Sequence, residues 1–279
     1  MQESKQTWDE YLFKGTATYY ERGRLPYADG LASTLSEKLN LRGHGTVADI
    51  GCGPGTLARL MAGLCDRVVA VDPDADMIEH GRALAESAGI SNITWLTLPA
   101  EEIAFEVGEL DAAVFGQSFH WMDRSRVAAQ LRTSLRAGGH LVLVSDVKNA
   151  PKKSASASAD IPHQEINGLI REYLGDVRRA GRSLLTSGTP ADEETVLAEA
   201  GFIGPDRFVV EAPGTLRRAV GDIIAEIYSK SSSAPHLFGD QLSEFDERLR
   251  VLLERHAHDG FYEADRPDTD VRIWASPSS

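Results

Sequence analysis

The ten residues VADIGCGPGT, Val47 to Thr56, constrain this chain more than any other stretch. A short apolar run carries an acidic residue, Asp49, and passes at once into a loop with Gly51, Gly53 and Gly55 ahead of a helical pattern. Glycine at such positions permits positive φ and lets a ligand approach the backbone where a side chain would stand in the way. The spacing also discriminates among ligands. A dinucleotide fingerprint reads G-x-G-x-x-G, but here the third glycine falls one residue early and Thr56 stands in its place. Asp49 works against a pyrophosphate, because a carboxylate facing that turn repels phosphate and attracts an ammonium or sulfonium. The loop therefore predicts a cationic ligand.

Strand-like and helical periods alternate around this loop. Short runs rich in Val and Ile predict strands at Thr46 to Ile50, Arg67 to Val71, Ile93 to Leu98, Leu110 to Phe115 and His140 to Ser145. Helical periods fall between them at about Thr56 to Leu64, Ala75 to Ala88 and Arg124 to Leu135. Two further strands are expected at Arg207 to Glu211 and Asp270 to Trp274. The fold class is therefore α/β, a doubly wound, mostly parallel sheet of seven strands with helical lid insertions. A length of 279 residues suits one core with an added lobe. Residues 1–40, with aromatics at Trp8, Tyr11, Phe13, Tyr19, Tyr20 and Tyr27 and a helix expected over Ala28 to Leu39, form a candidate lid. Residues 41–150 form the binding core, and 151–190, opening on the polar PKKSASASAD, form an inserted cap with a helix expected over His163 to Arg179. Residues 191–279 return to the core through a helix at Ala191 to Ala200, and carry a helical insertion at about 213–268 with helices over Leu216 to Tyr228 and Gln241 to Ala257.

Composition removes several function classes. Lys and Arg total 29 against 42 Asp and Glu, a net charge of −13 that would repel a phosphate backbone, so nucleic acid is not the expected partner. Cys52 and Cys65 form no CxxC pair, which argues against a zinc cluster or a disulfide framework, and no metal is expected. No apolar run approaches the roughly 18 residues of a membrane span, and the N-terminus lacks the order of a secretory signal. A cytoplasmic protein, monomeric or homodimeric, is expected.

Asp72 ends the second strand 21 residues after Gly51, where an acidic side chain in such folds accepts hydrogen bonds from ribose hydroxyls. LPAEEIAF, Leu98 to Phe105, offers small and acidic groups for an adenine and its amine at the same sheet edge. A nucleoside joined to an amino-acid ammonium describes S-adenosylmethionine. DIGCGPGT, VVAVDPDADMI, LPAEEIAF, DAAVFGQSFHW and LRAGGHLVLV, in this order, resemble the class I S-adenosylmethionine-dependent methyltransferases. TATYYERGRLPY, SFHW and YSKSSSAPHLFGDQLSEFDERL are similar to the small-molecule group that includes trans-aconitate methyltransferase. The resemblance covers nearly the whole chain. It implies a Rossmann-like methyltransferase fold in which Asp49, Gly51, Gly53 and Gly55 hold the methionine part and Asp72 the ribose. It further places Met77 on the adenine, Ala100 and Glu101 at its edge, Gln117 near the methionine part, and Arg24 on the cofactor carboxylate. The family's R-P-P-Y reads R-L-P-Y here.

Other readings stay open at several of these positions. Asp72 could cap the helix after Pro73, and Met77 could be core. His120 follows the fourth strand, where an open sheet has its ligand crevice, and could accept a proton from the acceptor or merely pack on Trp121. Tyr19, Tyr20, Tyr27 and Trp121 are candidate substrate contacts, or aromatics that dock the N-terminal segment. A protein that binds S-adenosylmethionine without methyl transfer, and a nucleic-acid methyltransferase, are the alternative functions.

Overall fold

The computed structural model describes residues 12–105, 108–147, 160–180, 183–185 and 192–277. Trp8 and Tyr11, and most of the polar stretch after residue 147, lie outside the described residues. Seven strands form the central sheet: β1 (Thr46–Ile50), β2 (Arg67–Asp72), β3 (Ile93–Thr97), β4 (Leu110–Gly116), β5 (Leu135–Asp146), β8 (Ile203–Val210) and β11 (Thr269–Ala275). Two short hairpins supply the rest, β6 (Arg178–Ala180) with β7 (Ser183–Leu185), and β9 (Thr215–Ala219) with β10 (Phe261–Asp265). The sheet order is β3-β2-β1-β4-β5-β11-β8, parallel from β3 to β5, with β11 antiparallel to both of its neighbours.

Each central strand is apolar on both faces because helices cover both. Ala48, Ile50, Val69, Val71, Ala113 and Phe115 feed one buried cluster, and Val47, Val68, Ala70, Ala112 and Val114 feed the other. That period-2 alternation between two dry faces explains why the strands read as continuous Val- and Ala-rich runs. The core helices are α3 (Thr56–Ala62), α4 (Ala75–Ser87), α5 (Arg124–Ser134) and α7 (Glu193–Glu199). α4 starts on Asp74, whose carboxylate accepts from the amides of Asp76 (2.9 Å) and Met77 (3.2 Å). Capping therefore falls to Asp74 and not to Asp72.

A third cluster builds the lobe above the sheet. It joins α6 (His163–Leu174), α8 (Val220–Tyr228) and α9 (Leu242–His256) around Ile166, Leu169, Phe238, Phe245, Leu249 and Leu253. α8 presents Val220, Ile223, Ile224 and Ile227, the i, i+3, i+4, i+7 stripe of a helix with one buried face. Its other side receives α1 (Ala17–Gly23), while α2 (Leu31–Lys38) lies on the core through Leu31 and Leu35. A Cβ on Gly23 would overlap the backbone of Ala225, so only glycine lets these helices approach so closely.

Several expected boundaries are corrected. The helix expected over Leu216 to Tyr228 is strand β9 followed by helix α8, because residues 215–219 pair with Phe261–Asp265 of β10. The insertion at 213–268 is therefore not wholly helical. The helix expected to reach Arg179 stops at Leu174, ended by Gly175 at φ +81, and β5 begins at Leu135, five residues before the expected His140.

Candidate active site

The chain order reverses between β1 and β4, so their carboxyl ends open a crevice at the switch point. Into it run the loop after β1, Asp72 at the end of β2, the turn after β3, Gln117 after β4 and Asp146 at the end of β5. Gly51, Gly53 and Gly55 all take positive φ, at +66, +54 and +75. They do different work. A Cβ on Gly51 would press on Ser118 and Met122, and one on Gly55 would overlap Trp95. At Gly53 nothing lies nearer than the Tyr20 ring and hydroxyl at 3.8 Å, so this glycine leaves space that a ligand can share.

Asp49 is 1% exposed, and neither of its carboxylate oxygens has a hydrogen-bond partner. Burial pushes its pKa up to about 7, reinforced by the charge of Asp72; the Ala58 amide approaches too loosely to bond either oxygen and offsets the rise only in part. An ionised carboxylate buried without partners is costly. A cation placed against it would remove that cost. Asp72 is held at about 6 by burial against the pull of two backbone amides. Its Oδ2 accepts from Gly53 N and its Oδ1 from Asp74 N, each at 2.9 Å, so it braces the glycine loop and keeps one lone pair on each oxygen.

Tyr20 and Tyr27 enter this crevice from the N-terminal segment. Burial raises both hydroxyl pKa values, and both feel the charges of Asp49 and Arg24. Arg24 lies over the Tyr20 ring at 5.0 Å, gives Nη2 to Ser229 O at 2.9 Å, and keeps its buried Nε without a partner. Burial together with Asp72 and Asp49 drives the Cys52 thiol well above its ordinary range, which removes it as a nucleophile.

The structure thus brings together Arg24, Asp49, Gly51, Gly53, Gly55, Asp72, Tyr20 and Tyr27, with Gln117 on the rim. Met77 is buried on α4, and Ala100 belongs to a core cluster. Glu101 is turned partly aside, its Oε1 accepting from Asp123 N at 2.7 Å. His120 and Trp121 sit in a short 3-10 turn, with ring centroids 5.0 Å apart and Phe13 packed edge-on against Trp121 at 5.5 Å. Tyr19 is not part of the group. It packs on Tyr228 at 5.2 Å and lines a separate open groove between α1, α8 and α9, because neighbouring helical residues point about 100° apart. Two residues of the site went unread in the sequence. Ser118 donates to Ile50 O at 2.5 Å and pins the turn after β4 onto the end of β1. Asp146 accepts from Gln117 Nε2 at 3.1 Å.

Residues 47–139, from β1 into β5, match a family described as a methyltransferase domain. An uncharacterized methyltransferase of Mycobacterium tuberculosis is 29% identical over 238 residues, 85% of this chain and 83% of the relative. The ubiquinone biosynthesis O-methyltransferase of Acinetobacter baumannii is 30% identical over 174 residues, 58% of this chain and 70% of the relative. This chain belongs to the class I S-adenosylmethionine-dependent methyltransferases. Solved structures agree on the fold: a Bacillus halodurans C-125 protein superposes with a TM-score of 0.52 at 18% identity, covering 89% of this chain and all of that one. The YcgJ protein of Bacillus subtilis gives 0.51 at 12% identity, covering 89% and 98%.

As a member of that family the protein is a methyltransferase that uses S-adenosylmethionine, and the crevice has the right chemistry for it. A buried, unpartnered carboxylate suits the cationic amino-acid end, and an orphaned guanidinium nitrogen suits its carboxylate. Among the described residues, no helix is long and apolar enough to cross a membrane, and no three His, Cys, Asp or Glu side chains group as metal ligands would.

Proposed function

We propose that this methyltransferase acts on a small-molecule acceptor held between the crevice and the lobe of α1 and α8. The observation that carries the donor site is Asp49, whose burial without partners calls for a cationic ligand and disfavours a phosphate-bearing one. In this reading Asp49 and the Gly51–Gly53–Gly55 backbone hold the methionine end, Arg24 its carboxylate and Asp72 the ribose. Met77, Ala100 and Glu101 border the adenine. A small acceptor is supported by the −13 net charge and by the Acinetobacter relative, whose name assigns it O-methylation in ubiquinone biosynthesis.

When bound, S-adenosylmethionine supplies a methyl group activated by a sulfonium. The chain's own part is alignment, which can account for about 7 to 11 kcal/mol of barrier lowering. Tyr20 and Tyr27, buried and neutral, close the crevice against water. His120, beside Trp121 at the crevice mouth, takes the proton of a hydroxyl or amine acceptor. A pH–rate inflection that disappears in His120→Gln is the expected signature, and its persistence would return His120 to packing.

Calorimetric titration tests the cofactor site directly. S-adenosylhomocysteine is expected to bind in the micromolar range while NAD and ATP do not, and tighter binding of NAD would overturn the reading. Asp72→Asn is expected to weaken S-adenosylhomocysteine about tenfold, through a lost charge-assisted hydrogen bond worth about 1.5 kcal/mol. Unchanged affinity in the folded variant would leave Asp72 only the bracing of Gly53. Incubation of a metabolite pool with labelled methyl donor then identifies the acceptor.

A further inference from the structure

Asp146 ends β5 beside the turn that carries Gln117, and that turn is tightly determined. Gln117 takes φ +55, a left-handed conformation costly for a residue with a side chain. Its backbone amide donates to Val144 O at 3.0 Å, and its side-chain Nε2 donates to Asp146 Oδ2 at 3.1 Å. On one side Gly116 admits no Cβ, since the Tyr27 hydroxyl and Leu57 occupy that place. On the other, Ser118 is bonded to Ile50 O. Asp146 itself lies among charges from both halves of the site. Burial raises its pKa, Gln117 and Arg24 draw it down, and Glu226 pushes it up.

The orientation of the Gln117 amide follows from elementary chemistry. An ionised carboxylate only accepts hydrogen bonds, so the amide must offer Asp146 its nitrogen, which leaves the carbonyl oxygen for the crevice. We infer that Asp146 is a positioning residue that fixes the flip of the Gln117 amide, so that its oxygen faces the ammonium of the methyl donor's amino-acid end. In the opposite flip a donor would meet a donor. Arg24, with its unpartnered Nε, is then left for the carboxylate of the same amino-acid group.

This inference rests on the proposed cofactor site, and two ligands separate the two. S-adenosylhomocysteine and its analogue lacking the α-amino group are titrated calorimetrically against wild type, Asp146→Asn, Gln117→Met and the double variant. An asparagine can donate as well as accept and no longer dictates the flip. Asp146→Asn is therefore expected to weaken S-adenosylhomocysteine about tenfold, or about 1.4 kcal/mol, and to leave the deaminated analogue within about twofold. In the Gln117→Met background the Asp146 change should cost no more than about twofold, because no amide remains to orient. Gln117→Met alone should show the same selective loss, which keeps the test decisive should Asp146→Asn not fold. Equal losses for both ligands, or an undiminished Asp146 effect without the Gln117 amide, would overturn the inference. Wild type that fails to bind S-adenosylhomocysteine would instead overturn the cofactor site itself.

Discussion

Asp49→Asn is expected to abolish most cofactor affinity while making the unliganded protein more stable. The two effects share one cause. The Asp49 carboxyl has its folded pKa at about 7, raised mainly by burial, against 3.8 for the free side chain. Across that interval the folded protein holds a proton that the unfolded chain has released, so stability falls as pH rises from about 4 to 7 and is flat above. A shift of about three units corresponds to at most about 4 kcal/mol carried by the unliganded protein at pH 8. Asparagine removes the charge, so the variant should melt several degrees higher at pH 8, with the gain shrinking toward pH 4. Binding shows the reverse. A cation binds the ionised carboxylate, so wild-type affinity for S-adenosylhomocysteine should rise with pH up to about 7, with a proton released on binding below that. The variant should bind about 100-fold more weakly, with no such pH dependence. Melting curves and titrations at pH 5.5 and 8 test both halves. A variant that melts lower at pH 8, or binds like wild type, would remove Asp49 from the role given to it.

Asp49 and its loop were legible because everything needed to place them is local. Strand, turn and helix follow one another within Thr46 to Ala62, and the glycine spacing alone separates this turn from a dinucleotide site. Asp72 was legible for a similar reason, since strand length fixes where β2 ends. What the sequence hid are pairings between distant segments. The stretch at 215–219 has a helical pattern, but its partner is Phe261–Asp265, some 45 residues on, and β pairing prevails over local preference there. Ser118 bonds a carbonyl 68 residues away and Gln117 a carboxylate 29 residues away, so neither marks its own surroundings. Tyr19 and Tyr20 are adjacent in sequence, yet a helix can aim only one of them at the crevice. The sequence offered no way to choose before α8 was known to lie against α1.

The contact between α1 and α8 is where the second large effect is expected, at Arg218. This arginine in β9 is only 5% exposed, and it ties three segments together. Nη1 pairs with Glu226 of α8, and Nη2 donates to Gly23 O of α1 at 2.7 Å and to Asp222 O at 3.0 Å. Burial alone would raise the Glu226 pKa, but Lys230 and Arg218 outweigh it and hold the carboxyl at about 2. A folded pKa depressed from 4.5 gives stability that is present above about pH 4.5 and is lost as pH falls toward 2. Arg218→Met keeps much of the packing but leaves Glu226 with Lys230 alone and the Gly23 carbonyl without its donor. Removing one partner of a buried pair costs about 3 kcal/mol or more, which for a chain of this size lowers the melting temperature by about 6 to 9 °C. The loss should narrow when Glu226→Gln is added, because the buried charge then disappears with its partner. A surface role would instead give single and double variants that melt within about 2 °C of wild type. The same guanidinium fixes the last turn of α1, directly before Arg24 and three residues after Tyr20. Arg218→Met should therefore also weaken S-adenosylhomocysteine at a temperature where the variant is fully folded, although the Arg218 guanidinium is spent on Glu226, Gly23 O and Asp222 O. Unaltered affinity there would mean that Arg24 and Tyr20 are held from the core side, through the Arg266 pair with Asp29 and the Ala28 amide on Thr269 Oγ1.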